Sequence, residues 1–267
     1  MATHDHTPND AMISRIKSEL ESIEAASGVR ILYACESGSR AWGFASTDSD
    51  YDVRFIYAHP RDWYLSMDVE FRRDVIERPL DDELDITGWD LRKTLQLLRK
   101  SNPPLLEKLD SPIVYRVDER FLSGMRQLAE EYFATTPCAY HYLHMARGNY
   151  REYLQGDTVR LKKYFYVLRP LLAIRWLEEG RGMVPMLFRE MLDAVLPEPD
   201  VRRCIDDLLA AKTGGVELDD GPRVPTLNHF IEAELERHES GRFSRKPVPP
   251  PNDSLNAFFR ATVDRLA

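Results

Sequence analysis

Apolar positions recur at two different periods along this chain, and the change of period divides it. Ile13, Ile16, Leu20 and Ile23 fall at three- and four-residue steps, which lays one apolar stripe along a helix; a helix is predicted over 11–26, with Gly28 closing it. Two short apolar runs of strand length follow, Val29 to Ala34 and Val53 to Tyr57, separated by a stretch rich in Gly, Ser and Asp. His59-Pro60 ends the second run, and Trp63 to Met67 reads as a helical turn. Phe71 to Glu77 and Leu84 to Thr87 read as the arms of a hairpin around a polar turn at 79–82. Thr87 and Asp90 fit a capping box ahead of a helix striped with Leu91, Leu95 and Leu98, which Asn102-Pro103-Pro104 stops.

Beyond Tyr115 strand signals nearly vanish. Helical patterns run over 119–133, 137–154, 158–179, 185–195, 201–212, 225–238 and 255–266. The expected class is α+β, with a mixed α/β domain over 1–115 and a helical domain over 116–267, the boundary lying near 112–118. Between the last two helices, residues 240–253 are basic and carry four prolines from Pro247 onward, so an extended connector is expected there. It lets the final helix pack back through Leu255, Phe258, Phe259, Val263 and Leu266, onto this chain or onto a second copy.

Composition narrows the function classes. With 267 residues, 43% of them hydrophobic, the chain has material for a sizeable core, and a formal charge of −8 argues against nonspecific adhesion to nucleic acid while leaving room for a local basic face. The three cysteines, Cys35, Cys138 and Cys204, are far apart and include no Cys-x-x-Cys pair. Neither a disulfide framework nor a zinc knuckle is suggested, and a reducing cytoplasm is the expected setting. Residues 1–9 carry no apolar signal region, and the most apolar segment, 164–177, is interrupted by Arg169 and Arg175, so a soluble protein without membrane partners is expected.

The candidate chemistry sits in residues 35–56. A Gly38-Ser39 turn follows the first apolar run, and ten residues later Asp50 and Asp52 open the second. Alternate side chains on a strand share a face, so these two acids project together. Left alone they repel; magnesium relieves that, because it takes oxygen ligands and is completed by substrate phosphates. Gly38 allows close backbone approach to a triphosphate, and the amides and hydroxyl of Ser39 suit its outer oxygens. Asp85, in an alternating Leu84-Asp85-Ile86 stretch, is the candidate third acid on a neighbouring strand, since two metals need a bridging set. Arg40 reads equally as a phosphate contact or a structural ion pair, and Asp48 as a solvated turn residue.

In the helical half, Lys162, Tyr166 and Arg169 fall on one face of the 158–179 helix with Lys163 and Tyr164 beside them. Cations there would neutralise a triphosphate and an aromatic ring would stack on a base, closing the site from the second domain; the plainer reading is a solvated helix face. His141 and His144 have no third ligand near them in the sequence. Trp42 and Trp89 flank the acids and read as packing or as acceptor platforms. Ser37 lacks the Gly-x-Ser-x-Gly context of a hydrolase nucleophile, and no Gly-Lys-Ser/Thr follows Gly38-Ser39 to make a Walker A loop.

Gly38-Ser39, ten residues, then Asp50-Tyr51-Asp52-Val53 resembles the signature of the DNA polymerase β-like nucleotidyltransferase superfamily. Glu36-Ser37-Gly38-Ser39-Arg40-Ala41-Trp42-Gly43, Ser49-Asp50-Tyr51-Asp52-Val53-Arg54, Asp85-Ile86-Thr87-Gly88-Trp89-Asp90, Ser101-Asn102-Pro103 and Lys162-Lys163-Tyr164 are similar to its RNA-repair-pathway DNA polymerase β branch. The resemblance covers roughly residues 28–180. It implies a small mixed sheet with flanking helices, a helical second domain, and dependence on Mg²⁺ or Mn²⁺. It also implies transfer of a nucleoside monophosphate from a nucleoside triphosphate such as ATP, with release of pyrophosphate, to an acceptor that the family name makes an RNA end. Asp50, Asp52 and Asp85 are then the metal-binding acids, and Gly38, Ser39, Arg40, Lys162, Lys163, Tyr166 and Arg169 the nucleotide contacts. Two other readings stay open: the same chemistry on a protein hydroxyl or a small molecule such as an aminoglycoside, and an antitoxin-like binding module without catalysis.

Overall fold

Asn9 starts the first helix by accepting the Met12 amide at 2.8 Å, and α1 (Asp10–Ser27) ends on Gly28, whose φ of 61° makes a left-handed cap. Met12, Ile16, Leu20 and Ile23 form its buried face. The computed structural model describes residues 8–46, 49–78, 83–214, 218–238 and 248–266. Asp48, the turn expected over 79–82 and residues 240–247 of the expected connector lie outside the described residues.

Strands β1 (Arg30–Glu36), β2 (Tyr51–Ala58), β3 (Val75–Glu77), β4 (Leu84–Asp90) and β5 (Val114–Val117) form a five-stranded sheet in the order β3-β4-β2-β1-β5. β2 and β4 run parallel and every other neighbouring pair runs antiparallel. A parallel pair needs a crossover longer than a hairpin turn; here it includes α3 (Arg61–Tyr64), a 3₁₀ turn at Val69–Phe71 and β3. The fold is therefore mixed α+β, as the sequence indicates, with local differences. β3 begins at Val75 rather than Phe71, because Phe71 is spent in the 3₁₀ turn with its ring exposed. β4 runs on to Asp90, so Thr87 is a strand residue and Asp90 itself caps α4 (Leu91–Arg99), its carboxylate accepting the Arg92 amide at 2.7 Å.

Two compact units form. The first comprises Met1–Ala41, Ser49–Phe133 and Pro249–Ala267, the second Trp42–Asp48 and Ala134–Val248. Besides α1 and the sheet, the first unit holds the short turn α2 (Gly38–Ala41), α5 (Pro103–Lys108), α6 (Glu119–Tyr132) and the last helix, Asp253–Arg265. The sequence pattern places α6 and the last helix in the helical half. In the structure both belong with the sheet: Phe258 lies 5.7 Å from the Phe121 ring, Phe259 meets Tyr64 edge-on at 4.9 Å, and Arg265 pairs with Asp118 at 2.6 Å. The final apolar face thus docks on this chain.

The second unit contains α7 (Thr135–Tyr153), α8 (Lys163–Glu178), α9 (Phe188–Val195), α10 (Pro199–Thr213) and α11 (Pro225–Arg237), with a two-stranded ribbon of β6 (Thr158–Arg160) and β7 (Asp220–Pro222). The ribbon shortens the helix expected over 158–179, since residues 158–160 pair with a strand some sixty positions onward instead of winding. α8 is apolar nearly all round and accordingly buried. Among the described residues no helix is long and apolar enough to cross a membrane.

Candidate active site

Packing on one face of the sheet determines what stands on the other. Tyr51, Val53 and Phe55 of β2 and Leu84 and Ile86 of β4 join Ile16, Leu20 and Ile23 of α1 in a single core cluster. Strand alternation then sends Asp52 and Arg54 of β2, and Asp85 and Thr87 of β4, to the opposite face. In the parallel register Asp52 lies directly beside Asp85, and Arg54 beside Thr87. Side-chain exposures of 30% and 33% leave both acids within reach of solvent.

Arg54 joins the two carboxylates. Its Nη2 donates to Asp52 Oδ1 at 2.9 Å and to Asp85 Oδ2 at 2.7 Å, while Nη1 is 3.1 Å from the carbonyls of Val53 and Asp85. Thr87 Oγ1 donates to the other oxygen of Asp85 at 3.4 Å. Burial raises the Asp52 carboxyl above its ordinary range; Arg54 pulls against that shift, and Asp85 and Asp50 add to it.

The turn after β1 is fitted to Asp52. Gly38 has φ +59°, and a Cβ there would lie 2.0 Å from Asp52 Oδ2, so no residue with a side chain leaves that carboxylate where it is. Asp52 is also held through its backbone: its amide donates to Glu36 Oε1 at 2.7 Å, and its carbonyl accepts the Ser37 amide at 2.9 Å. Glu36 is fully buried and takes a second hydrogen bond from the Tyr115 hydroxyl; burial pushes its carboxyl up to about 7, against those two bonds. Ser39 lies on α2, beside Gly38.

Arg40 has found backbone partners. Its guanidinium donates to the carbonyls of Ser49 at 2.6 Å and Asp50 at 3.3 Å and lies 3.8 Å over the Tyr51 ring, tying the turn to the segment that carries the acids. Asp50 is exposed immediately ahead of β2. Among the described residues no three His, Cys, Asp or Glu side chains are gathered as a metal-holding group; what converges is the pair Asp52 and Asp85.

Residues that sequence reading passed over complete this face. Arg54 and Glu36 belong to the sequence stretches around the acids, but their roles depend on neighbours across the sheet. Lys108, at the end of α5, places Nζ 3.5 Å above the Trp89 ring, and burial lowers its amine to about 8, with Arg54 adding to the shift. Trp89 is accordingly packed under a lysine. Burial pushes the Cys35 thiol up to about 12, so it stays a neutral thiol on this face.

The second unit holds the remaining candidates. Lys162 is exposed just ahead of α8, and Lys163 lies over the rings of Tyr153 at 4.1 Å and Tyr166 at 4.8 Å. Tyr166 is 39% exposed and meets Trp42 edge-on at 5.4 Å. Tyr164 is buried, its hydroxyl bonded to Asn228 and to the Val224 amide. Arg169 is only 2% exposed, donates to the carbonyls of Pro185 and Met186 at 3.3 and 3.1 Å, and packs on Trp42 at 4.9 Å. Its guanidinium is part of the interior of that unit, where Phe44 also sits, 4.8 Å from Phe165 and 5.4 Å from Phe188.

The model of the RNA repair pathway DNA polymerase beta family matches residues 12–261 of this sequence. YcgL, an uncharacterized protein of Bacillus subtilis (strain 168), is 51% identical over 256 residues, which span 96% of this chain and 98% of that protein. The crystal structure of a nucleotidyltransferase-like protein from Exiguobacterium sibiricum 255-15 aligns over 94% of this chain and 88% of that one, at 12% identity and a TM-score of 0.34.

Proposed function

Because the chain belongs to the RNA repair pathway DNA polymerase beta family, we propose that it is a metal-dependent nucleotidyltransferase that moves a nucleoside monophosphate from a nucleoside triphosphate to an acceptor hydroxyl, an RNA 3′ end first among them. The observation that carries this reading is the in-register pair Asp52 and Asp85 beside the Gly38-Ser39 turn. The donor set suits magnesium or manganese: two carboxylates on neighbouring strands already turn one oxygen each toward a single cationic group, and hard oxygen ligands are what these ions take. Asp52 and Asp85, with Asp50 on the segment leading into β2, would hold the ion. Bound there, it supplies neutralisation of phosphate charge and a lowered pKa for the acceptor hydroxyl.

The residues of the chain do the rest. Amides of the Gly38-Ser39 turn bind the outer phosphates; Glu36 and Ser37 fix the Asp52 peptide, and through it the direction of its carboxylate. The acceptor oxygen bonds to the α-phosphorus in line as the bond to pyrophosphate breaks, and Asp85 takes the hydroxyl proton. RNA as acceptor is supported by the family description alone, and the formal charge of −8 favours the second reading, an uncharged or cationic acceptor such as a protein hydroxyl or an aminoglycoside.

Each of four α-labelled nucleotides, offered with RNA, protein and aminoglycoside acceptors with and without Mg²⁺ or Mn²⁺, tests both readings. Label on RNA only in the presence of metal supports the first, and label on another acceptor replaces RNA with that acceptor. Asp52→Asn should lower transfer about a thousandfold or more with the fold intact, since a metal ligand supplies several kcal/mol of transition-state stabilisation. Transfer unchanged in that variant, or no nucleotide binding by calorimetry in Mg²⁺, would leave a binding module of the antitoxin-like kind.

A further inference from the structure

We propose that Arg54 is a resident competitor for the divalent cation, standing in the place between Asp52 and Asp85 that the ion has to occupy. The inference rests on the metal-dependent reading above and concerns how the chain sets its own affinity for the ion.

Each carboxylate has two oxygens, and the structure assigns them different neighbours. Asp52 Oδ2 is turned to the Gly38 turn, where it fills the volume of the missing Cβ, and Asp85 Oδ1 accepts the Thr87 hydroxyl. The two oxygens that face one another across β2 and β4 are Asp52 Oδ1 and Asp85 Oδ2, and Arg54 Nη2 is within 2.9 Å of both. A divalent ion sits closer to carboxylate oxygens than a guanidinium nitrogen does, at roughly 2.1 Å for magnesium, so both cannot share that oxygen pair. Two cations that close repel each other even where the side chains are partly exposed, as Arg54, Asp52 and Asp85 are.

Arg54 is held in this position without being locked there. Nη1 has two backbone carbonyls, which anchor the guanidinium to the strands, and the side chain as a whole is 20% exposed. By bridging the acids, the arginine offsets the repulsion between them and keeps them convergent. The same contact weakens apparent metal affinity, because a bound ion must first displace a charge-assisted donor that bridges both acids through one nitrogen.

Mn²⁺ binding followed by the paramagnetic resonance of the free ion, at pH 8 and without nucleotide, tests this on the full chain. Arg54→Met should bind Mn²⁺ about tenfold more tightly than the parent, since the competing charge is gone. Arg54→Gln, which keeps an N–H donor but no charge, carries the same expectation and serves if the Met variant fails to fold by circular dichroism. Arg54→Lys should stay within about threefold of the parent, as it restores the charge. Equal or weaker Mn²⁺ binding in the folded neutral variants, with clear binding to the parent, overturns the role of Arg54 and leaves the metal-dependent function standing. Absence of Mn²⁺ binding in parent and variants alike overturns both.

Discussion

On β2 and β4, Tyr51, Val53, Phe55, Leu84 and Ile86 turn toward α1, while Asp52, Arg54, Asp85 and Thr87 turn away from it. Neighbours in the chain thus live in opposite surroundings, one set in dry packing and the other among charges. Dry packing is non-directional and tolerant of chemical detail; the charged face depends on oxygens and nitrogens meeting within a few tenths of an ångström. Yet the second is built by the first. A one-residue slip would send the apolar set to the solvent side and the acids into the core, so burial under α1 fixes the register that puts Asp52 beside Asp85.

The charged face is most easily disrupted where it meets the turn. Gly38→Ala puts a methyl 2.0 Å from Asp52 Oδ2 and forces a left-handed φ on alanine; transfer should fall at least about a hundredfold, as mispositioning a reacting group by an ångström does. Nucleotide incorporation per folded molecule checks it, and near-parent activity would mean that Asp52 is not held by this fit.

The dry face should answer in stability rather than chemistry. Leu20→Ala removes a fully buried side chain from the α1 stripe and should cost about 2–5 kcal/mol in urea unfolding. Transfer by the protein still folded should be close to the parent; a specific loss of activity would show that the two faces are less separable than they look.

Gly88→Ala tests the link between them. A Cβ at Gly88 would come within 2.1 Å of the Phe55 ring, so the substitution overpacks the sheet between β2 and β4 at a cost of about 1–3 kcal/mol. Because those strands carry the acids, it should lower transfer as well, unlike Leu20→Ala.

The smallest effect is at the end of β2. His59 stacks on Trp63 at 3.9 Å, and burial, with Arg72 nearby, lowers its pKa to about 4. The unfolded chain therefore binds a proton at higher pH than the folded one, and the contribution is complete above about 6.5 and lost as pH falls toward 4. With the imidazole partly exposed, about 1 kcal/mol is expected. His59→Phe should remove that part of the acid destabilisation, read as a shallower fall in Tm between pH 6.5 and 4.

Local features were legible from order alone. The α1 stripe and its Gly28 cap follow from three- and four-residue spacing and from the one residue type that takes a left-handed φ without strain. The pairing of a Gly-Ser turn with strand acids was likewise visible, because alternation assigns a face without knowledge of the partner strand. Periodicity gave no hint of β5, which continues a short apolar patch only because β1 offers it an edge, or of β6, a three-residue strand made by a distant one.

Order along the chain thus carries an inventory of faces: which side of α1 is buried, which residues of β2 and β4 look the same way, and that acids and a Gly-Ser turn belong to one neighbourhood. Tertiary structure alone decided the partners. Asp52 and Asp85 are thirty-three residues apart in the chain, and only the packed register of β2 on β4 makes them neighbours, with Arg54 between them and Gly38 cut to fit one of them. Arg169 shows the same rule from the other side: its helical spacing matched Lys162 and Tyr166, but burial against Trp42 and two carbonyls turned it inward. Spacing along one element fixes direction, and contact is settled by what packs against that element from elsewhere.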